Sequence, residues 1–321
     1  MGRYIARRLM YLVLVLLVIT LFTFVIFYVL PPSDAALAAA GKLPTPEILA
    51  EVREQFGLND PVHVRYVNFV RDIALGDEYG WPGFGISFDT RSPVKDEIFS
   101  RVGVTLQLAA GAAMIWLVLG IATGIVSALN RRKLVDRLVM GFALFGISAP
   151  VFAVGLAALY LFAYRWEISP GTGYFPLSEG FGPWFGHFWL PWVVLALQYA
   201  AFYARMVRGN LLDTMGEDYI RTARAKGLSE RKVIGKHGLR ASLTPIVTIF
   251  GLDFSLLLGG AVLTETVFNL PGVGQLIVRS VARSDLPVVV AVTVVAALFV
   301  SFMSLVVDIL YAYLDPRVRY T

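Results

Sequence analysis

The sequence predicts an all-α polytopic membrane protein with six transmembrane helices and both termini in the cytoplasm. Three observations predict it. Of the 321 residues, 57% are hydrophobic and only 16% are charged, where a soluble domain carries about 25% charge. The apolar residues gather in uncharged runs long enough to cross a bilayer. The basic residues between the runs crowd onto alternate sides of them.

The first run, Leu9 to Leu30, holds no charge. At 1.5 Å per residue it reaches roughly 33 Å, against a hydrocarbon core of roughly 30 Å. It is too long for a signal-peptide core and no small-residue cleavage site follows it, so residues 1–30 form an N-terminal end and an uncleaved first span. The second span is 102–129 and the third 138–164. The fourth, 188–209, is entered through Trp189 and Pro191. The fifth, 241–265, carries Asp253 inside and Glu265 at its end. The sixth is 286–309, with Asp308 near its end.

Basic residues set the sides. Arg3, Arg7 and Arg8 precede span one, and Arg131, Arg132, Lys133 and Arg137 join spans two and three. A further basic cluster fills the loop 210–240, and Arg317 and Arg319 close the chain. The opposite short loops hold only Arg165, Arg279 and Arg283. Basic loops stay cytoplasmic, so this distribution explains the basic balance without a nucleic-acid partner. Cysteine is absent and the three histidines are far apart, which argues against disulfides, thiol chemistry and a metal site.

The segment 31–101 then lies outside. "PTPEILAEVREQFGL" spaces Ile48, Leu49, Val52 and Phe56 on one helical face. "DPVHVRYVNFVRDIALG" does the same with Val62, Tyr66, Phe69, Val70 and Ile73. A Gly-, Pro- and aromatic-rich loop follows. This segment is a cap on the spans, a docking surface for an external partner, or both.

The five-span core 102–321 is interrupted by "EDYIRTARAKGLSERKVIGKHGLR". Asp213 or Thr214 caps a short helix there; Glu217 and Asp218 stand in its first turns, and Arg221, Arg224 and Lys226 toward its end, as the helix dipole favours. Gly227 stands where a left-handed terminating residue belongs. Tyr219, Thr222, Ala223 and Lys226 share one stripe, with Arg221 pointing away. Three readings remain open: a solvated basic linker, a helix on anionic lipid, and a helix seated in a groove of another protein. The stripe is small-centred and lacks Trp, Phe and Leu, which favours the last.

At these residues the sequence resembles a known family. "RTARAKG" followed by "KHGLRASLTP" is similar to the EAA loop of bacterial ABC-importer permeases. Arg221, Thr222 and Ala223 take the Glu-Ala-Ala places, Gly227 the Gly place, and His237, Leu239 and Arg240 the later places. The departures from the general pattern match the branch that imports dipeptides, oligopeptides and nickel. "LNDPVHVRYVNFV", "RSPVKDEIFSRVGVTLQL", "GISAPVFAVGL", "TETVFNLPGVGQLIVRSVARSDLPVV" and "VDILYAYLDPRVR" extend the resemblance along nearly the whole chain, while "LPPSDAA" departs from it.

The resemblance implies a type I ABC-importer permease fold in the bacterial cytoplasmic (inner) membrane. It implies a second homologous permease, two cytoplasmic ABC ATPases and an extracytoplasmic solute-binding protein as partners. ATP and Mg would be held by the ATPases and no cofactor by this chain. Glu217, Asp218, Tyr219, Thr222, Ala223, Lys226 and Gly227 become the ATPase-docking coupling helix. Ser148 and Asp253 are candidate pathway residues, against the blander readings of a helix-bend residue and a structural pair with the partner permease. Glu265 and Asn269 are candidate contacts for the binding protein. The expected cargo is a dipeptide or oligopeptide, with nickel or another small solute as the alternative.

Other classes fit less well. The nearest approach to a phosphate-binding loop is Gly235-Lys236, which lacks both the leading Gly and the following Ser or Thr. No nucleophile–base pair stands inside the spans. An ion-coupled secondary transporter would want more buried charge than Asp253, and an internal repeat.

Overall fold

The computed structural model describes residues 2–30, 46, 53, 59–258 and 261–314. The first expected outer helix, the "LPPSDAA" turn, Gly259, Gly260, Arg317 and Arg319 lie outside them. Among the described residues every regular element is helical. Among the described residues four helices are long and apolar enough to cross a membrane, and the number is six if each of two bent pairs is one span.

The chain divides into two compact units. The first holds residues 1–105, 258–262 and 271–321. Its α1, Gly2–Phe24, continues through a π-helical turn, Val25–Val29, giving 24 spanning residues from Ala6. α2, Val62–Leu75, is the second expected outer helix. It lies on α1: the Tyr66 hydroxyl donates to the Leu17 carbonyl at 3.1 Å, and the Phe69 ring stands 5.8 Å from that of Phe24. Val62 leaves the expected face and is 49% exposed, because it is the first helical residue and precedes the packed turns.

The start of α3, Val94–Leu129, buries Val94 and Ile98 against Val273 and Leu276 of a later short helix and against Val288 and Val292 at the start of the last span. Burying each such side chain contributes about 1.5–3 kcal/mol. The loop between α2 and α3 is closed by Asp77, whose carboxylate accepts the Tyr79 and Gly85 amides, each at 2.8 Å.

The second unit holds residues 106–257 and 263–270. α4, Leu134–Ser148, and α5, Val151–Ala158, extend through a π turn to Arg165. The third span bends where the sequence places a helix-bend residue at Ser148, by 104° between 134–148 and 151–165. Ala149 precedes a proline and takes extended geometry, ψ 126°, because the proline ring disfavours helix at the residue before it.

α6, Phe181–Thr214, is the long central helix. α3 passes it where glycines stand: a Cβ on Gly120 would meet the Tyr203 Cβ at 2.6 Å, and one on Gly124 the Ala204 carbonyl at 2.7 Å. Gly120 and Gly124 of span two therefore serve close packing within this chain.

Beyond α6 come α7, Asp218–Ala225, then α8, Thr244–Leu258, and α9, Val262–Phe268. The fifth span is broken as well, with 41° between 230–242 and 244–257. In the first unit, α10, Val273–Ala282, and α11, Leu286–Leu314, complete the helices.

Candidate functional site

The segment 210–240 is an elbow between α6 and α8. α6 does not stop at Asp213: it runs through Thr214 and buries Leu211 at 1% exposure. Packing of that last turn overrides the capping tendency of Asp213 and Thr214. α7 begins instead after Glu217, whose extended backbone starts the helix and whose side chain makes no cap hydrogen bond.

α7 ends in a two-bond reversal. The Gly227 amide donates to the Arg224 carbonyl at 2.9 Å and the Leu228 amide to the Ala223 carbonyl at 3.3 Å. Gly227 has φ +76°, the left-handed geometry this motif needs.

The elbow has its own small core. Ile220 and Ala223 bury against Val233, with Met215 packed alongside. Gly238 lets the following π turn approach, since a Cβ there would come within 3.0 Å of the Met215 sulfur. This corrects the expected stripe. Ala223 is 7% exposed and faces its own chain, because Val233 supplies the apolar partner that the sequence pattern left open. Tyr219, Thr222 and Lys226 remain exposed, as do Glu217 and Asp218. Arg221, expected to point away, shares the exposed face with Asp218, Thr222 and Ala225. Arg221 pairs with Asp218 at 3.3 Å and Arg224 with Glu230 at 2.7 Å.

A buried carboxylate stands nearby at the junction of α3, α4 and α6. Asp136 accepts two hydrogen bonds from Arg208, at 2.7 and 2.9 Å. It also accepts the Ser127 hydroxyl at 2.5 Å and the Arg132 amide at 2.9 Å. Sequence reasoning missed this anchor. Its signal was there: Asp136 is the one acid among the basic residues of 130–137.

Asp253 does not need the partner permease as its hydrogen-bond donor. The Tyr203 hydroxyl donates to it at 2.8 Å. Tyr203 is fully buried, near Trp116, which stacks on Tyr199 at 4.7 Å and lies 5.9 Å from Phe250. Ser148 is the last residue of α4, exposed at the bend. Glu265 is not an exposed outer contact: it is 0% exposed, on the face of α9 that also buries Thr264 and Phe268. Asn269 is exposed and ends α9 at φ +53°. The Leu270 amide donates to the Glu265 carbonyl at 2.9 Å and the Asn269 amide to that of Thr266 at 3.3 Å. Among the described residues no three His, Asp or Glu side chains gather as metal ligands would.

Residues 120–320 match the family of binding-protein-dependent transport system inner membrane components, and residues 1–109 match the N-terminal part of the same kind of membrane component. The chain is a binding-protein-dependent transport permease. The permease is 37% identical over 320 residues to the probable peptide ABC transporter permease protein y4tP of Sinorhizobium fredii, covering 100% of both chains. It is 40% identical over 321 residues to the glutathione transport system permease protein GsiC of Salmonella typhimurium, and 39% identical to GsiC of Escherichia coli K12, again over 100% of both chains. The permease is thus an inner-membrane transport subunit of an ABC importer, and transport rather than catalysis is its work.

Proposed function

We propose that this permease forms half of the translocation pathway for short peptides, including tripeptides of the size of glutathione. It pairs with a second homologous permease, two cytoplasmic ATPases and an extracytoplasmic solute-binding protein. ATP and Mg are held by the ATPases, and this chain binds neither. The observation that carries the reading is the exposed polar face of α7 on an elbow whose other face is packed to its own chain.

The exposed face has the chemistry of a docking helix. Thr222 and Ala225 are small and let a groove close over them. Asp218, Arg221 and Lys226 offer both signs of charge at its rim, and Tyr219 adds an aromatic edge. ATP binding draws the two ATPases together, the docked helices follow, and the spans open outward to receive cargo. Hydrolysis returns them. The full names of the relatives favour peptides over nickel.

The test is reconstitution of the assembled importer with Thr222→Trp in this chain. Thr222 is exposed, so the fold is expected to persist while ATPase association and binding-protein-stimulated hydrolysis are lost. Normal coupled uptake by this variant would remove the face from docking. Uptake that follows a proton gradient and ignores ATP would overturn the reading as a whole.

A further inference from the structure

The first unit contains a cavity of about 370 Å³, at the lower end of the range for small-ligand pockets. Its body is aromatic: Tyr28, Phe69, Phe84 and Phe88 line it. Its charged groups among the described residues are mostly acidic, with Asp60, Asp72, Asp77 and Glu78 against the single base Arg65. Asp77 is committed, both carboxylate oxygens accepting loop amides. The Arg65 guanidinium lies 5.9 Å from the centre of the Phe24 ring.

Asp72 is differently placed. No hydrogen bond or ion pair engages its carboxyl among the described residues. Burial raises its pKa above the usual carboxylate value; Arg71 opposes this and the like charge of Asp77 adds to it. A partly desolvated carboxylate beside aromatic faces is stabilised by a cation on an apolar stem, through its charge and through the ring quadrupoles.

From this geometry we propose that the cavity receives a Lys or Arg side chain presented by the extracytoplasmic solute-binding protein. The proposal rests on the importer reading above. Two further observations favour that partner over cargo. The volume suits one long side chain better than a peptide. Among the described residues the walls come almost entirely from the N-terminal part of the chain, matched over 1–109, with only Pro287, Val290 and Ala291 supplied by the transport core matched over 120–320. The basic-loop rule places α2 and its loop on the outer side.

The experiment uses the complete importer in nanodiscs and its own fluorescently labelled binding protein. Asp72→Asn is expected to weaken binding at least about tenfold and to flatten its salt dependence. The thermal midpoint should hold or rise, because an unfavourably placed charge is removed. The binding protein's Lys and Arg residues are then changed to Met one at a time. One of them should lose affinity in wild type and lose nothing more beside Asp72→Asn, as coupled partners do.

Unchanged affinity in the double variant Asp60→Asn with Asp72→Asn would overturn the proposal while wild-type stimulation by the binding protein leaves the importer reading intact. A binding protein that neither binds nor stimulates the wild-type importer would overturn that reading instead. Occupation of the cavity by a dilute cationic peptide in the absence of binding protein, lost in Asp72→Asn, would assign the cavity to cargo and also overturn the proposal.

Discussion

The elbow around α7 and the loop joining α10 to α11 end their helices with the same backbone device, and then differ in every side chain around it. At the elbow, Gly227 takes the left-handed position. At the other turn Ser284 takes it, φ +57°, with the Asp285 amide donating to the Ser280 carbonyl at 2.9 Å and the Ser284 amide to that of Val281 at 3.2 Å. Asp285 is 3% exposed. It accepts the Ser87 hydroxyl at 2.5 Å and the Phe88 amide at 2.9 Å, while Arg283 pairs with Asp89. That turn is a brace, with its carboxylate fully engaged inside its own unit. The elbow places its charges in solvent and holds itself by a few apolar contacts. A buried, saturated carboxylate fixes geometry; an exposed helix face leaves its groups open to solvent.

Breaking the braces should produce the largest effects. Asp136→Ala leaves Arg208 half-buried without its carboxylate, which costs about 3–5 kcal/mol. The paired replacement Asp136→Leu with Arg208→Met should cost much less, since neither charge is stranded. Thermal unfolding in detergent reads both. Equal losses in the single and paired variants would show that the junction depends on something other than the ion pair. Asp285→Ala comes next. It orphans the Ser87 hydroxyl and the Phe88 amide, each costing about 1–3 kcal/mol if left unpaired. Faster amide exchange across 85–90 should accompany the loss, with exchange in α7 unaltered.

Gly227→Val sharpens the comparison from the other side. A Cβ at Gly227 meets nothing within 4 Å, so the change acts through backbone strain alone, about 1–2 kcal/mol. Gly227→Asn should recover most of it, because asparagine tolerates this geometry, as Asn269 does at the end of α9. A steep loss in Gly227→Asn would mean that the position is crowded in the assembled importer, which the single chain does not show.

The apolar helices, the helix 62–75 and the left-handed glycine were legible because they depend on local pattern: uncharged length, apolar spacing, a residue without a Cβ; α3 and α6 nevertheless begin at Val94 and Phe181, well before the uncharged runs 102–129 and 188–209. The faces of α7 were not legible. Ala223 and Tyr219 share a stripe by angle, yet one is buried and the other open, and Val233, ten residues beyond Ala223, decides which. Glu265 reads as an outer-loop acid until the fold turns it inward beside Phe268. The bend at Ala149-Pro150 was signalled by the proline, but the 104° change of direction was not. Arg208, Tyr203 and Ser87 lie 72, 50 and 198 residues from Asp136, Asp253 and Asp285, to which they donate, and no short window holds both ends of such a bond.

The smallest stability effects belong to the exposed face, and they carry the functional test. Arg224→Ala removes an ion pair that is largely in solvent, so its stability cost should be under about 1 kcal/mol. Thr222→Trp and Ala225→Trp add bulk at positions exposed among the described residues and should leave the thermal midpoint unchanged. Ala223→Trp should melt the elbow by forcing a ring between Ile220 and Val233. Loss of ATPase association in Ala223→Trp would therefore say little, since the helix itself is lost. The same loss in Thr222→Trp, with the midpoint held, assigns the defect to contact with the second protein. If all three tryptophans lowered the midpoint together, α7 would be a braced element like the α10–α11 turn, and the contrast between the two turns would fail.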